Sequence, residues 1–269
     1  MTKIGFIGTG NMGGALAHAV AAAEGTHQLL LANRSPEKAA AVAAETGGTA
    51  VDNAVAAAEA DYLFLGVKPQ MYPEVLGSLV PVLQSRGGSC VLISMVAGVS
   101  IARVQELLGG GAERCHIIRI MPNTPVSIGE GVILYACGAD VTAAEEQAVL
   151  HLLSKAGRLS ALPESLIDAG SAVSGCGPAF VDLFVEALAD GGVACGLPRR
   201  AALEYAAPMT GGAAKLLLET GVHPGALKDA VCSPAGSTIA GVRTLETAAL
   251  RAAVMNAVIA AYERTKALG

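Results

Sequence analysis

A chain of 269 residues can form one large domain or two modest ones. Hydrophobic residues make up 52%, charged residues 15% and aromatics 3%, with no tryptophan, so the interior must be built from Ala, Val, Leu and Ile. The net charge of −5, without a strongly basic stretch, argues against nucleic acid as the main partner, and six scattered cysteines with no CxxC pair argue against a metal centre or a disulfide framework.

The chain opens on an apolar strand over residues 3–7. It runs into Gly8-Thr9-Gly10-Asn11-Met12-Gly13 and then into Ala-rich helical sequence over residues 14–23. A strand, a glycine turn and a helix N-terminus are what a dinucleotide pyrophosphate requires. The first glycine allows the turn, the second lets backbone approach phosphate, and the third lets helix pack on strand. Because Gly8, Thr9, Gly10 and Asn11 break the apolar run, a βα unit fits better than a signal peptide. No continuous apolar run reaches the ~20 residues that span a bilayer. The thiols suit a reducing compartment, so the expectation is a soluble, cytoplasmic protein without a membrane partner.

A second strand over residues 28–32 follows at the spacing of a dinucleotide fold. The acidic residue that commonly ends this strand and grips a ribose 2′-hydroxyl is absent, and Asn33-Arg34-Ser35 stand in its place. An arginine at that corner suits a 2′-phosphate, with Asn and Ser as neutral hydrogen-bond partners, which predicts NADPH in preference to NADH. The same residues with Pro36 also suit a solvated turn.

Further strands over 61–67, 89–94 and 116–121 alternate with helical stretches such as 36–45 and 101–108. That alternation predicts a parallel sheet with helices on both faces. Ligands bind such sheets at strand carboxyl ends. The candidates there are Val67-Lys68-Pro69-Gln70, Val96-Ala97-Gly98 and Met121-Pro122-Asn123-Thr124-Pro125, joined by Asn53 after the short run 49–51. Residues 131–137 read as a strand and residues 158–162 as a last one. Thr142-Ala143-Ala144-Glu145 reads as a capping box opening a helix to about Lys155.

From Glu164 onward only helical periodicity appears. Phe180, Val181, Phe184, Val185 and Leu188 fall at helical spacing after Pro178. A helix after Gly196-Leu197-Pro198 runs towards Glu219 with Pro208 as a kink. A short helix over 226–231, a Ser/Pro/Gly loop and helices out to Leu268 complete the chain. The expected fold is α/β: a Rossmann-like doubly wound sheet over residues 1–160, followed by an all-helical domain over 161–269. Residues 248–261 are apolar around most of a helix circumference, which implies burial on more than one side.

The loop Ser233-Pro234-Ala235-Gly236-Ser237-Thr238 exposes small hydroxyls and free N–H groups at a helix start, a setting suited to a carboxylate. It also reads as a plain helix-loop-helix turn with Thr238 as cap. His18, His27, His116, His151 and His223 show no spacing for a metal or a triad, and His223 reads as a turn or cap residue.

The segment HPGALKDAVCSPAGSTIAGVRTLE, from His223 to Glu246, resembles the C-terminal signature of the pyrroline-5-carboxylate reductase family. The resemblance extends through IGFIGTGNMGGALA, FLGVKPQ, MPNTPVSIGEG, and Leu166-Ile167-Asp168 leading into SGCGPAF. It implies that Ile7, Gly8, Thr9, Gly10, Asn11 and Met12 hold the pyrophosphate. Asn33 and Arg34 would hold the adenosine phosphate and Asn53 the ribose region, with Val67, Lys68, Pro69 and Ala97 lining the cofactor cleft. It places the substrate carboxylate on the loop of Ser233, Gly236, Ser237 and Thr238, with the Thr238 hydroxyl as the catalytic group facing the ring nitrogen. Glu164 stands where the family has an acidic residue near the substrate. Some family members carry Asn where this chain has Ala230, so that contact is absent here.

The implied reaction is hydride transfer from NADPH, or more weakly NADH, to the C=N carbon of 1-pyrroline-5-carboxylate, giving L-proline. If the imine arrives protonated, hydride neutralises a cation and the protein has mainly to orient two reactants, which fits a site rich in hydroxyls and amides. The resemblance also implies a homodimer with interleaved helices, and allows a larger assembly of dimers. Two other readings compete with this one. The β-hydroxyacid dehydrogenases share the glycine pattern but use a Lys with an Asn one turn later, where residues 170–179 offer Ser, Gly, Cys and Pro. A non-catalytic NADP sensor would have no need of a carboxylate loop.

Overall fold

The structure, a computed structural model, describes residues 1–267, so Leu268 lies outside the described residues. The chain divides into two compact units, Met1–Cys176 joined by the chain from Ala261 onward, and Gly177–Ala260.

The first unit alternates strand and helix. It contains β1 (Thr2–Ile7), α1 (Asn11–Ala21), β2 (His27–Ala32), α2 (Pro36–Thr46), β3 (Thr49–Ala50) and α3 (Asn53–Glu59). It continues with β4 (Tyr62–Leu65), α4 (Tyr72–Ser85), β5 (Cys90–Ser94), α5 (Ile101–Leu108) and β6 (Cys115–Met121). It ends with β7 (Gly131–Cys137), α6 (Ala143–Leu152), β8 (Gly157–Ala161) and α7 (Glu164–Ser174). One eight-stranded sheet has the order β3-β2-β1-β4-β5-β6-β7-β8. The middle strands are buried on both faces and so read as continuous apolar runs, as in β5, Cys-Val-Leu-Ile-Ser. Two cores result. Leu63, Leu65, Leu92 and Ile117 pack towards one face, and Ile4, Phe6, Phe64 and Ile118 towards the other. Phe6 and Phe64 stack with ring centres 4.5 Å apart on adjacent strands.

The pairing is parallel except at β6–β7, where Arg119 faces Ala136 across an antiparallel ladder. That departure from the all-parallel expectation has a chain-length cause. A parallel crossover needs roughly a dozen residues or more, and the link between Met121 and Gly131 holds only a 3₁₀ turn at Thr124–Ile128. The chain must therefore double back. The capping box is present as expected, since Thr142 Oγ1 accepts from Glu145 N while the Glu145 carboxylate accepts from Thr142 N. The boundary expected near residue 160 coincides with the end of β8. The compact unit carries on through α7, whose Ile167 is fully buried in the core beside Leu134.

The second unit contains α8 (Gly177–Ala194), α9 (Arg199–Thr220), α10 (Pro224–Ala230), α11 (Ser237–Thr247) and the start of α12 (Leu250–Lys266). Its buried core is three alanines, Ala189, Ala202 and Ala206. Large apolar side chains instead face outward, among them Leu183 at 67% exposure and Leu218 at 74%. Contrary to the expectation from continuous apolar runs, the helical stretch Glu164–Ala194 is long and apolar enough to cross a membrane by length and composition. The stretch holds no uninterrupted apolar run of that length, because Asp168 and Asp182 break the sequence without lowering its average far. Its first part packs on the sheet through Ile167 and Ala172.

Candidate active site

The glycine turn after β1 is built as the sequence requires. Gly8 has a φ of 97°, and a Cβ there would lie 2.6 Å from the Gly66 carbonyl oxygen of the loop after β4. A Cβ on Gly13 would land on the Gly8 carbonyl. Gly10 is different: a Cβ there meets nothing within 4 Å. The protein's own packing places no demand on that glycine, whereas an approaching phosphate would. Gly10 caps α1 without a side-chain hydrogen bond, and no acidic residue occupies the first turn, so the helix keeps its positive end free. Thr9 is buried at 4% exposure and its Oγ1 has no partner among the described residues. An orphaned hydroxyl in that position is a ready donor to an anion.

From this turn a cavity of about 410 Å³ extends along the carboxyl ends of β1, β2 and β4. Ile7, Gly8, Gly10, Asn33, Arg34, Asn53, Val67 and Lys68 all line it. A second depression of about 400 Å³ shares Asn33, Arg34, Asn53 and Ser78 and continues the groove past Asp52. Arg34 and Lys68 are exposed. Among the described residues neither they nor Lys38 forms an ion pair, so three cations stand free along one groove. Asn33 Nδ2 donates to the Ser35 carbonyl at 3.2 Å and shapes the turn that presents Arg34. Asp52 caps α3 by accepting from Val55 N, which sets Asn53 at the first helical position.

The remaining expected cofactor residues lie off the groove wall. Asn11 is exposed on the first turn of α1, and Met12 packs into the core, which leaves its backbone amide for any ligand. Pro69 opens a 3₁₀ turn at Pro69–Met71. Ala97 is half-buried in the loop after β5, against the core. Sequence reading missed Lys38, Met71, Glu74, Val75 and Ser78, all of which line the groove. Lys38 carried a signal, since it falls four residues after Arg34. The α4 residues did not, because nothing in the sequence alone aims that helix at the groove.

Glu164 is the first residue of α7. Its Oε1 accepts from Ile101 N at 2.6 Å and lies 3.6 Å from Arg119 Nη1. Arg119, on β6, is 3% exposed, the one buried charged residue among those described. Its Nη2 donates to Asp168 Oδ1 at 2.5 Å. Beside it Tyr72 donates to Ser94 Oγ at 2.8 Å. Burial pushes the Tyr72 phenol well above its ordinary value, against smaller downward pulls from the Ser94 hydrogen bond and the Arg119 charge. Neither Arg119 nor this cluster was foreseen.

In the second unit, Gly236 is the residue before α11 and makes no side-chain cap bond. Thr238 is therefore the second residue of the helix and not its cap. Its side chain is exposed, as are those of Ser233 and Ser237. Gly236 N donates to Ser233 O at 3.0 Å, and a Cβ on Gly236 would collide with Ser233 Oγ. Ala235 sits in the left-handed region at φ 57°, which an alanine adopts only under constraint. The result is a tight turn presenting free amides at the start of an 11-residue helix. His223 caps α10 by accepting from Gly225 N at 3.1 Å, as the sequence suggested.

Residues 164–268 match the family model described as pyrroline-5-carboxylate reductase dimerisation, and residues 3–98 match NADP oxidoreductase coenzyme F420-dependent. A pyrroline-5-carboxylate reductase of Methanosarcina acetivorans is 43% identical, covering 99% of this chain and 98% of that protein. The chain belongs to the pyrroline-5-carboxylate reductase family. The Escherichia coli K12 enzyme of the same name is 39% identical over 99% of this chain and 98% of its own. Among solved structures, a pyrroline carboxylate reductase of Plasmodium falciparum with NADP bound superposes with a TM-score of 0.88. It is 33% identical and covers 100% of this chain and 98% of that one. The fold expected from the alternation of strands and helices, a doubly wound sheet followed by helices, is thus the fold of the family.

Proposed function

We propose that this protein is the NADPH-dependent reductase that converts 1-pyrroline-5-carboxylate to L-proline, the last step of proline synthesis. The observation that carries this reading is the full-length match, at 43% identity, to the Methanosarcina acetivorans reductase of that name. The groove fits a dinucleotide on its own terms, through the orphaned Thr9 hydroxyl, the open Gly10 and the three unpaired cations.

When bound, NADPH supplies the hydride for the C=N carbon. Thr9 with the amides of Asn11 and Met12 holds the pyrophosphate, and Arg34 with Asn33 holds the 2′-phosphate. Lys38 adds a second positive charge, and Asn53 meets the ribose region. Val67, Lys68, Pro69 and Ala97 form the wall of the cleft. The turn of Ser233, Gly236 and Ser237 binds the substrate carboxylate through amides and hydroxyls. The Thr238 hydroxyl orients the ring nitrogen and leaves a neutral secondary amine once the protonated imine has been reduced. Glu164 lies at the substrate with the oxygen it does not spend on Ile101.

The partner is a second copy of the chain, docked through the apolar helical unit, and dimers associate further. We place the enzyme in a reducing cytoplasm, free of membrane and nucleic acid. All six cysteines are free thiols, including Cys90 and Cys115, whose sulfurs lie 3.8 Å apart on paired strands. The test is direct: purified protein should form proline from 1-pyrroline-5-carboxylate and NADPH. NADPH binding without proline formation would leave only a cofactor-binding protein and overturn the reading.

A further inference from the structure

Residues 66–71 after β4 wall the cofactor groove, and residues 95–100 after β5, the next strand of the sheet, carry Ala97, which the family resemblance assigns to the same cleft. Each ends on the same buried polar cluster. Tyr72, directly after the first loop, donates to Ser94, which is the last residue of β5 and the residue before the second loop. Ile101, directly after the second loop, donates its N–H to Glu164. Ser94 stands in register with Arg119, and Arg119 holds Glu164 at 3.6 Å and Asp168 at 2.5 Å. The two Nη atoms of this buried guanidinium meet the carboxylates of Glu164 and Asp168 while Nε has no partner among the described residues, so losing either carboxylate would leave more of a buried charge uncompensated and the paired arrangement is preferred. Residues 95–100 are thereby fixed at both ends to one point in the sheet. Ser100 adds a local pin by capping α5 through Arg103 N.

We propose that Arg119, acting through Glu164 and supported by Asp168, is a positioning residue. It sets the loop carrying Ala97, and with it the seat of the nicotinamide. The inference rests on the reductase reading above. It assigns Glu164 Oε1 a task in the cofactor half of the site, apart from any contact its other oxygen makes with substrate. Misplacing reacting atoms by about 1 Å costs on the order of 100-fold in rate, so loosening this loop should act on the chemical step.

The experiment compares Glu164→Ala, Glu164→Gln, Asp168→Asn and Arg119→Met with the parent protein by two readouts. The first is amide hydrogen exchange in cofactor-free protein. Losing a hydrogen bond to a charged group is worth about 10- to 100-fold, so exchange at Ile101 should speed up by that factor in Glu164→Ala. Glu164→Gln, which keeps an acceptor, should restore part of it. The second is steady-state kinetics with NADPH deuterated at the transferred position. The expected signature is kcat lower by about 10- to 100-fold, a larger isotope effect, and little change in KM for the pyrroline. Asp168→Asn, at a carboxylate whose one side-chain hydrogen bond among the described residues is to Arg119, should share that signature in weaker form.

Unchanged exchange at Ile101 in Glu164→Ala would overturn the proposal. So would a rise in pyrroline KM alone, which would make Glu164 a substrate ligand and nothing more. If Glu164→Ala or Arg119→Met fails to fold, the Glu164→Gln and Asp168→Asn pair decides the matter by the same isotope effect. An inactive parent enzyme would sink the reductase reading. The exchange readout, together with NADP⁺ affinity measured by calorimetry, would still judge the cluster: normal Ile101 exchange and normal affinity in Glu164→Ala would reject it.

Discussion

At the scale of single residues, three substitutions separate function from packing. Arg34 is exposed and forms no ion pair among the described residues, so its charge is available to a 2′-phosphate. A hydrogen bond to a charged group contributes roughly 1.5–3 kcal/mol, so NADPH should be favoured over NADH by about ten- to a hundredfold. Arg34→Asp should abolish that ratio, and steady-state kinetics with both cofactors checks it. Thr238 lies inside α11, so Thr238→Ala removes no cap. Turnover should fall by up to about 100-fold, the low end for proton-transfer or orienting groups. The melting temperature should hold or rise slightly, because Ala is the better helix former. Thr238→Ser should keep most of the activity, and full turnover in Thr238→Ala would remove the residue from the mechanism. Ala235 makes the third case. A left-handed alanine costs roughly 1–2 kcal/mol and a glycine gives back roughly 0.5–1 of that in chain entropy. Ala235→Gly should therefore raise the melting temperature, and a lower one would show that the turn needs its methyl group. At this scale the sequence was legible where geometry is local, as in the glycine turn and the His223 cap. It was silent on Arg119, which reads as one charge in an apolar strand until Asp168, 49 residues away, is brought beside it.

At the scale of elements, the three glycines of the first turn look alike in sequence and differ in the structure. Gly10→Ala meets open space, so the protein should fold with a stability loss of no more than about 1 kcal/mol. NADPH binding should nevertheless weaken at least tenfold, because the methyl group intrudes where a phosphate approaches. Gly13→Ala drives a Cβ into the Gly8 carbonyl and should destabilise by about 1–3 kcal/mol. Denaturation curves and cofactor titrations on both variants test the contrast, and equal behaviour would refute it. Most strands could be read from short apolar runs, and α6 from its capping box. The helix α4 was harder, because it runs through Pro81, and a proline inside a helix usually argues against one. The reversal at β7 could have been reached from the short link before it, since nine residues leave no room for a crossover helix.

At the scale of the whole molecule, the helical unit exposes what a solitary domain would bury. Three alanines form its core, while Leu183, Leu218 and Met255 face outward. A surface substitution away from special features usually changes stability by no more than about 0.5 kcal/mol. Leu183→Arg with Leu218→Arg should do much more, lowering both the mass seen by light scattering and the melting temperature. A parent protein with the mass of one chain, or a double variant indistinguishable from the parent, would remove the dimer from the account. The thin core has a further consequence. If folding of the helical unit is completed only by a second copy, association and folding share one equilibrium, and a tenfold dilution withdraws about 1.4 kcal/mol per mole of dimer. The protein's half-life against heat and proteases then depends on how much of it has been made, so an under-expressed copy is degraded faster than an abundant one of identical sequence.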